Sequence, residues 1–149
     1  MGIEIERKFL VLNDEWRRGA DAGRILRQGY LASSDRATVR VRTEDQTVSY
    51  VTIKGSGGVS RAEYEYDIPF ADALELLEMC GGHTLEKRRH ELPNGGLTWE
   101  IDVFLGRHAG LVLAEIEMEH EDQHFERPDW LGQEVTHDSR YRNEFLARS

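Results

Sequence analysis

Charged residues of one sign recur at every second position in several short segments of this 149-residue chain. Successive side chains of a β-strand point to opposite faces, so residues at i and i+2 share a face, where like charges repel. Paired bases suit phosphate oxygens, which arginine can bind in a bidentate way, and paired carboxylates suit hard divalent cations such as Mg²⁺ or Mn²⁺. The acidic pairs are Glu4 and Glu6, Glu63 and Glu65, Glu100 and Asp102, and Glu115 and Glu117; the bases are Lys8, Arg40 and Arg42, Lys54, and Lys87 and Arg89.

The opposite face of these segments is apolar, as Val39 and Val41 are beside the paired arginines. An ordinary sheet turns its apolar face to a core and its charged face to water, and for a single strand that interpretation usually holds. The repeated pairs of like charge favour the reverse, a closed sheet with its charged face inward. Unpaired buried charge is too costly to persist, so such a lumen must be water-filled and counter-charged. A metal–polyphosphate complex would neutralise both sets, while helices and a neighbouring subunit, as in a homodimer, would cover the outer apolar faces.

Period-two patterning dominates the chain and predicts a mainly β fold with a few peripheral helices, an α+β chain arranged as an eight-stranded antiparallel closed barrel. We predict one domain over residues 1–149. Helices are expected from Asn13 to about Gly19, from Pro69 to Cys80 and from Ser139 to Arg148, from capping residues and apolar spacing. The predicted strands cover 2–12, 24–33, 37–44, 47–54, 61–68, 84–92, 97–105 and 111–120.

Net charge and composition exclude some partners. The formal net charge is −9, with 28 acids against 19 bases, which argues against nucleic acid or an anionic membrane as a partner. A local cluster of bases can still bind a small anion. The lone Cys80 suits a reducing compartment, and neither an apolar signal core nor a membrane-spanning run is present, so a cytoplasmic protein is expected.

The opening segment from Glu4 to Lys8 resembles the ExExK signature of the CYTH superfamily, also called the triphosphate tunnel metalloenzymes. The charged pairs follow in that family's order along the whole chain, as do Gln28-Gly29-Tyr30-Leu31 and the segment from Asp138 to Asn143. ExExK alone is a weak pattern, but the ordered set is specific. The resemblance implies an eight-stranded tunnel that binds triphosphate with a divalent metal, most like the short bacterial inorganic triphosphatases.

The same resemblance implies a role for each charged residue. Glu63 or Asp102 would complete a second metal site, and Glu63 or Glu65 would be the base that activates water, with Lys8 and Asp102 also counted among the catalytic groups. Metal ligands would be Glu4, Glu6, Glu115 and Glu117, and phosphate ligands would be Lys8, Arg40, Arg42, Lys54, Lys87 and Arg89, with Tyr30 as a further contact.

Other functions remain open at this level. A class IV-type adenylyl cyclase would use the same ligands on ATP but would need a pocket for adenine, and no base-reading cluster is evident. A nucleotide or thiamine triphosphatase would differ only in what surrounds the triphosphate. A non-catalytic polyphosphate-binding module would need the bases but not the paired acids. An apolar-ligand barrel would require the sheet to curl the opposite way.

Overall fold

A computed structural model describes residues 2–149 as a strongly curved antiparallel sheet of nine strands. The spatial order is β5-β4-β3-β2-β6-β7-β8-β1-β9, and a further pairing between β5 and β1 closes eight strands into a barrel. The predicted eight-stranded antiparallel barrel is therefore confirmed. The strands are β1 (Ile3–Val11), β2 (Arg24–Ser33), β3 (Ala37–Glu44), β4 (Val48–Gly55), β5 (Ser60–Asp67), β6 (Thr84–Asn94), β7 (Leu97–Phe104), β8 (Val112–Glu117) and β9 (Leu131–Glu134), and the helices are α1 (Phe70–Met79) and α2 (Asn143–Arg148).

Local turn chemistry accounts for most of the strand boundaries. The β6–β7 hairpin turns on Gly95 and Gly96, and Gly95 has a φ of +64°, a conformation that glycine adopts without strain. The expected helix after Asn13 is a single 3₁₀ turn (Glu15–Arg18), whose first backbone N–H donates to the Asn13 side chain. These elements lie where the sequence places them.

Three features differ from the sequence-based prediction. Strand β9 was not predicted, because its four residues are too few to show alternation. The last predicted strand ends at Glu117 rather than at residue 120. The expected helix over 139–148 is a 3₁₀ turn (Ser139–Tyr141) followed by α2, because Arg142 between them has an extended backbone.

The principal hydrophobic core lies outside the barrel. The outward faces of β1, β7 and β8 carry Phe9, Trp99 and Ile116, and the segment after β8 folds over them with Phe125 and Trp130. Edge-to-face aromatic contacts hold this layer together, with ring centroids 5.7 Å apart for Trp99 and Phe125. The cover on this side is the chain's own loop rather than a second subunit.

A second apolar cluster lies inside the barrel at one end. Leu85, Phe104 and Leu113 occupy inward positions there, and α2 packs on them through Leu146 and Ala147. Arg107 and His108 bind carbonyl oxygens of the last turn of α2 and so anchor its C-terminus. The helix therefore caps this end of the lumen, which the charge alternation did not predict.

One outer face remains largely uncovered. Helix α1 covers Val41 on β3, but Ile3, Tyr64 and Tyr66 on the neighbouring β1 and β5 are 67%, 48% and 58% exposed. The homodimer expected from the sequence stays a prediction. No helix within residues 2–149 has the length and apolar character needed to cross a membrane.

Candidate active site in the barrel lumen

The charged residues singled out in the sequence lie on the inward face of the barrel, where they surround a cavity of about 150 Å³. We call this cavity the acidic chamber, because eight of its lining residues are glutamates. Its walls come from all eight strands of the closed barrel, so closure of the sheet is what brings these residues together. The lining residues are Glu4, Glu6, Arg24, Arg40, Arg42, Glu44, Tyr50, Lys54, Glu63, Glu65, Arg89, Glu100, Glu115, Glu117 and Asn143.

A second cavity, the basic chamber, lies beside the first at the end capped by α2. It shares Glu6, Arg40, Lys54 and Asn143 with the acidic chamber, so the two are continuous. Five bases from different parts of the sequence line this chamber. Its lining residues are Glu6, Lys8, Tyr30, Thr38, Arg40, Thr52, Lys54, Arg61, Arg142, Asn143 and Glu144. The lumen is therefore polarised by its carboxylates: among the described residues, five bases line each chamber, but eight glutamates line the acidic chamber and only Glu6 and Glu144 line the basic one.

The Arg40 guanidinium is buried with its hydrogen-bonding capacity only partly used. Its Nη2 donates to Thr52 Oγ1 at 3.0 Å, whereas its buried Nε–H finds no acceptor among the described residues. Burial and the neighbouring Arg42 lower the pKa of Arg40. An unpaired buried cation is costly, so this side chain favours an anion in the chamber.

Arg42, by contrast, has polar partners. Its Nε donates to the Gln28 side chain at 2.9 Å and its Nη1 to the hydroxyl of Tyr50 at 3.2 Å. The same hydroxyl donates to Glu44 at 2.5 Å, and Glu44 is paired with Arg24. This network holds Arg42 in a fixed orientation within the chamber wall.

Lys87 and Asp102 line neither chamber, because they lie buried behind Arg89. The Asp102 carboxylate accepts from Arg89 at 2.8 and 2.9 Å in a bidentate pair and lies 2.7 Å from Lys87 Nζ. Burial opposes its charge, yet Arg89 and then Lys87 hold the pKa of Asp102 well below its usual value. Burial also lowers the pKa of Lys87, to about 7, despite the attraction of Asp102.

The carboxylates meet in pairs across neighbouring strands. Burial and the nearby Glu115 raise the pKa of Glu6 well above its usual value, and Glu6 donates a hydrogen bond to Glu115. Despite burial, Lys8 and Arg89 hold the pKa of Glu115 well below its usual value. When two carboxylates share a proton, their combined negative charge is too great for the site to hold without it. A bound cation could neutralise that charge in place of the proton.

A second pair is formed by Glu4 and Glu63. Burial and the neighbouring Glu4 raise the pKa of Glu63 to about 7. Lys54 lies between them, with its Nζ 2.9 Å from Glu4 and 3.6 Å from Glu63. Glu63 is therefore near half-protonation at neutral pH, while Glu4 remains ionised.

These carboxylates suit a hard divalent cation, but they would supply only some of its ligands. Among residues 2–149 no three acidic, histidine or cysteine side chains converge closely enough to hold a metal unaided. Mg²⁺ commonly uses one or two carboxylates, keeps several waters and takes its remaining ligands from substrate phosphates. Pairs such as Glu6 with Glu115, opening towards a basic chamber, fit that mode of binding.

Several lining residues were missed in the sequence. Arg24, Glu44 and Arg61 share the inward alternation of the predicted residues on their strands, so the same parity rule would have found them. Asn143 and Glu144 gave no such signal, because they enter the chambers from α2 and only the tertiary fold brings them there.

Comparison with known proteins agrees with this architecture. The family model described as "CYTH domain" matches residues 2–145. The chain belongs to the CYTH family. The inorganic triphosphatase of Acetivibrio thermocellus is 46% identical over 100% of this chain and 96% of its own length. That of Nitrosomonas europaea is 42% identical over 98% and 97%. A solved structure described as an inorganic triphosphatase covers 98% of this CYTH chain and 95% of its own, at 38% identity and a TM-score of 0.69.

Proposed function

We propose that this CYTH protein hydrolyses inorganic triphosphate held in the barrel lumen together with Mg²⁺ or Mn²⁺. The observation that carries the proposal is the polarised lumen, in which bases line both chambers and the paired carboxylates are concentrated in one of them. The inorganic triphosphatases at 42–46% identity, which align over almost their whole length, support the same substrate class.

Binding would rest on the basic chamber. Lys8, Arg40 and Lys54, with Arg61 and Arg142, surround a cavity of about 40 Å³ that suits phosphoryl groups. Arg40 would use its free Nε–H for a phosphate oxygen. Arg42 and Arg89 would extend the basic surface into the acidic chamber, and Lys87 would act from behind the wall through its charge.

Chemistry would take place where the two chambers meet. Glu4, Glu6, Glu115 and Glu117 would hold the metal, which would neutralise phosphate charge and lower the pKa of a bound water. Glu63, whose pKa is about 7, suits the acceptance of the proton from the attacking water, because a general base works best near the operating pH. Glu65 on the same inward face is the alternative base. Asp102 would keep Arg89 and Lys87 in place rather than touch substrate.

The lumen favours an inorganic substrate over a nucleotide. Among residues 2–149, two aromatic side chains line the chambers, and both contact other parts of the protein. Tyr50 binds Arg42 and Glu44 through its hydroxyl, and Tyr30 packs on the apolar cluster under α2. The Arg42 guanidinium also lies over the Tyr50 ring, 6.0 Å from its centroid, so that ring is less available for stacking a purine.

The direct test is a phosphate-release assay on tripolyphosphate, ATP and thiamine triphosphate, with Mg²⁺, Mn²⁺ or a chelator. We expect metal-dependent release that is fastest from tripolyphosphate, and loss of activity in Arg40→Ala. Conversion of ATP to cyclic AMP at a higher rate would replace the proposal with a cyclase. Tight binding of tripolyphosphate without turnover would replace it with a polyphosphate-binding module.

A further inference from the structure

The barrel wall has a seam where β1 changes its neighbour. Residues Ile3–Ile5 pair with β5, and Glu6 N donates to the carbonyl oxygen of Val59, just before β5, at 3.1 Å. Two residues later, Lys8 N donates to the Thr136 hydroxyl at 3.0 Å, and β1 then pairs with β9. The wall between the β4–β5 hairpin and the segment after β9 is therefore not closed by a continuous ladder.

A recess opens at this seam, with a volume of about 40 Å³. It shares Glu6, Lys8, Arg61 and Arg142 with the basic chamber, so the two cavities adjoin along these side chains. We call it the side recess, and its remaining lining residues are Gly57, Gly58 and Thr136. A single water needs about 10–15 Å³ by this measure, so the space suits a phosphoryl group and is too small for a nucleoside.

The charge in the side recess is positive and poorly compensated. Lys8 Nζ donates to the carbonyl oxygen of Tyr141 at 2.9 Å, and no carboxylate in residues 2–149 lies within ion-pair distance of it. The ion pairs of Arg61 with Glu4 and of Arg142 with Glu144 are long, at 3.7 and 4.0 Å. A lysine without an ion pair among the described residues, beside two arginines with only long ion pairs, favours a bound anion.

Glycine keeps the rim of the recess open. Gly57 has a φ of +151°, and a side chain there would collide with the Ser60 carbonyl oxygen, so glycine is required. Gly58 does not have a positive φ, and a Cβ there would meet only the end of the His137 ring, at 3.0 Å. A side chain can therefore be added at Gly58 at the cost of a small shift of His137.

We propose that the side recess is a second phosphate-binding site and the lateral opening of the basic chamber. Its ligand is a tetrahedral phosphoryl group, either the orthophosphate released by hydrolysis or the terminal phosphoryl of a chain longer than three. The axial route at this end is capped by Leu146 and Ala147 of α2, so an anion in the basic chamber leaves or extends through the seam. The origin of the orthophosphate rests on the proposed hydrolysis. The existence of the binding site does not depend on it.

The test compares Gly58→Asp with Gly58→Asn, which have the same shape and differ by one charge. Gly96→Asp, on a hairpin tip with no atoms within 4 Å of an added Cβ, controls for the change in net charge. Orthophosphate binding is measured by calorimetric titration and as product inhibition of tripolyphosphate hydrolysis. Tetrapolyphosphate hydrolysis is measured in parallel, which distinguishes the two sources of the phosphoryl group.

We expect Gly58→Asp to weaken orthophosphate binding about tenfold, as one unit charge acts on a phosphate dianion across several ångströms of partly solvated space. Gly58→Asn and Gly96→Asp should bind like wild type. A selective loss of kcat/KM for tetrapolyphosphate in Gly58→Asp would identify a longer chain as the occupant.

Equal affinities of Gly58→Asp and Gly58→Asn for both orthophosphate and tetrapolyphosphate would overturn the side recess while leaving the hydrolysis proposal intact. Conversely, the outcome could be that the wild-type protein binds orthophosphate, with weaker binding in Gly58→Asp than in Gly58→Asn, and yet does not hydrolyse tripolyphosphate. That result would support the recess as a binding site and reject the proposed function.

Discussion

Lys87 Nζ lies 2.7 Å from Asp102 Oδ2, in a part of the lumen where the two side chains are 0% and 1% exposed. Arg89 binds the same carboxylate in a bidentate pair and also lies 3.2 Å from Glu100, so Asp102 is a counter-charge shared by two buried bases. The cluster supports the chamber wall from behind, and its stability can be measured separately from catalysis.

We expect Asp102→Asn to destabilise the fold strongly. The substitution leaves the buried Lys87 without its counter-charge and, among the described residues, Arg89 with only Glu100 and Glu115, at 3.2 and 3.7 Å. Breaking a buried pair in this way costs about 3–5 kcal/mol. Glu65→Gln is the matched control, because Glu65 is exposed and forms no ion pair within residues 2–149. Urea unfolding of the two variants measures the difference, and equal midpoints would show that Asp102 is not a structural counter-charge.

Stability should rise with pH above neutrality because of Lys87. Its pKa is about 7 in the folded protein against 10.5 ordinarily, so between these values the unfolded chain binds the additional proton. Stability increases wherever the unfolded state binds more protons, here by at most about 1.4 kcal/mol per pH unit. Below pH 7 both states are protonated and the folded state bears the full cost of the buried charge.

The measurement is the free energy of unfolding from pH 6 to pH 10 for wild type and Lys87→Met. The variant lacks this titrating group, so its free energy of unfolding should rise less steeply with pH than that of wild type. The groups that face Lys87 are Asp102, Arg89, Arg42, Glu115 and Asn143, and they are present in both proteins. Parallel curves would mean that Lys87 keeps an ordinary pKa.

We expect Glu6→Gln to reduce turnover at least a hundredfold while the protein stays folded. Glu6 faces the lumen beside Glu115, so the amide removes like-charge repulsion and opens no apolar cavity. The thermal midpoint should be unchanged or higher. Glu119→Gln, just beyond β8 and exposed, is the control for loss of a surface charge. Near-normal activity in Glu6→Gln would show that this glutamate is only solvated.

Metal and triphosphate together should stabilise the protein more than either alone. A ligand that binds only the folded barrel adds about 2.7 kcal/mol at a hundredfold excess over its Kd. Arg40→Ala should weaken the response to triphosphate and spare that to metal, and Glu115→Ala should do the reverse. Thermal melts at fixed ionic strength test this, with chloride salt as the blank. A wild-type shift no larger than the blank would mean that the charges do not form a binding site.

The sequence by itself determined which residues share a face. The side-chain period of a strand is two, so Glu4, Glu6 and Lys8 had to point one way and Ile3 and Ile5 the other, whatever the fold. Hairpin signals such as Gly95-Gly96 placed the strand ends to within a few residues, because turn chemistry is local. Pairs of like charge at i and i+2 then indicated that the polar face was the inner one.

Only the tertiary structure decided which of these charges are free and which are already paired. Asp102 and Glu115 look alike in sequence, yet β6 brings Arg89 and Lys87 within 2.8 Å of Asp102, whereas Glu115 faces Glu6 and lies 3.7 Å from Arg89. The cap by α2, the short β9 and the seam at Lys8 likewise arise from contacts between segments distant in the chain. Alternation reports the direction of a side chain, whereas partner, burial and access depend on which strands become neighbours when the barrel closes.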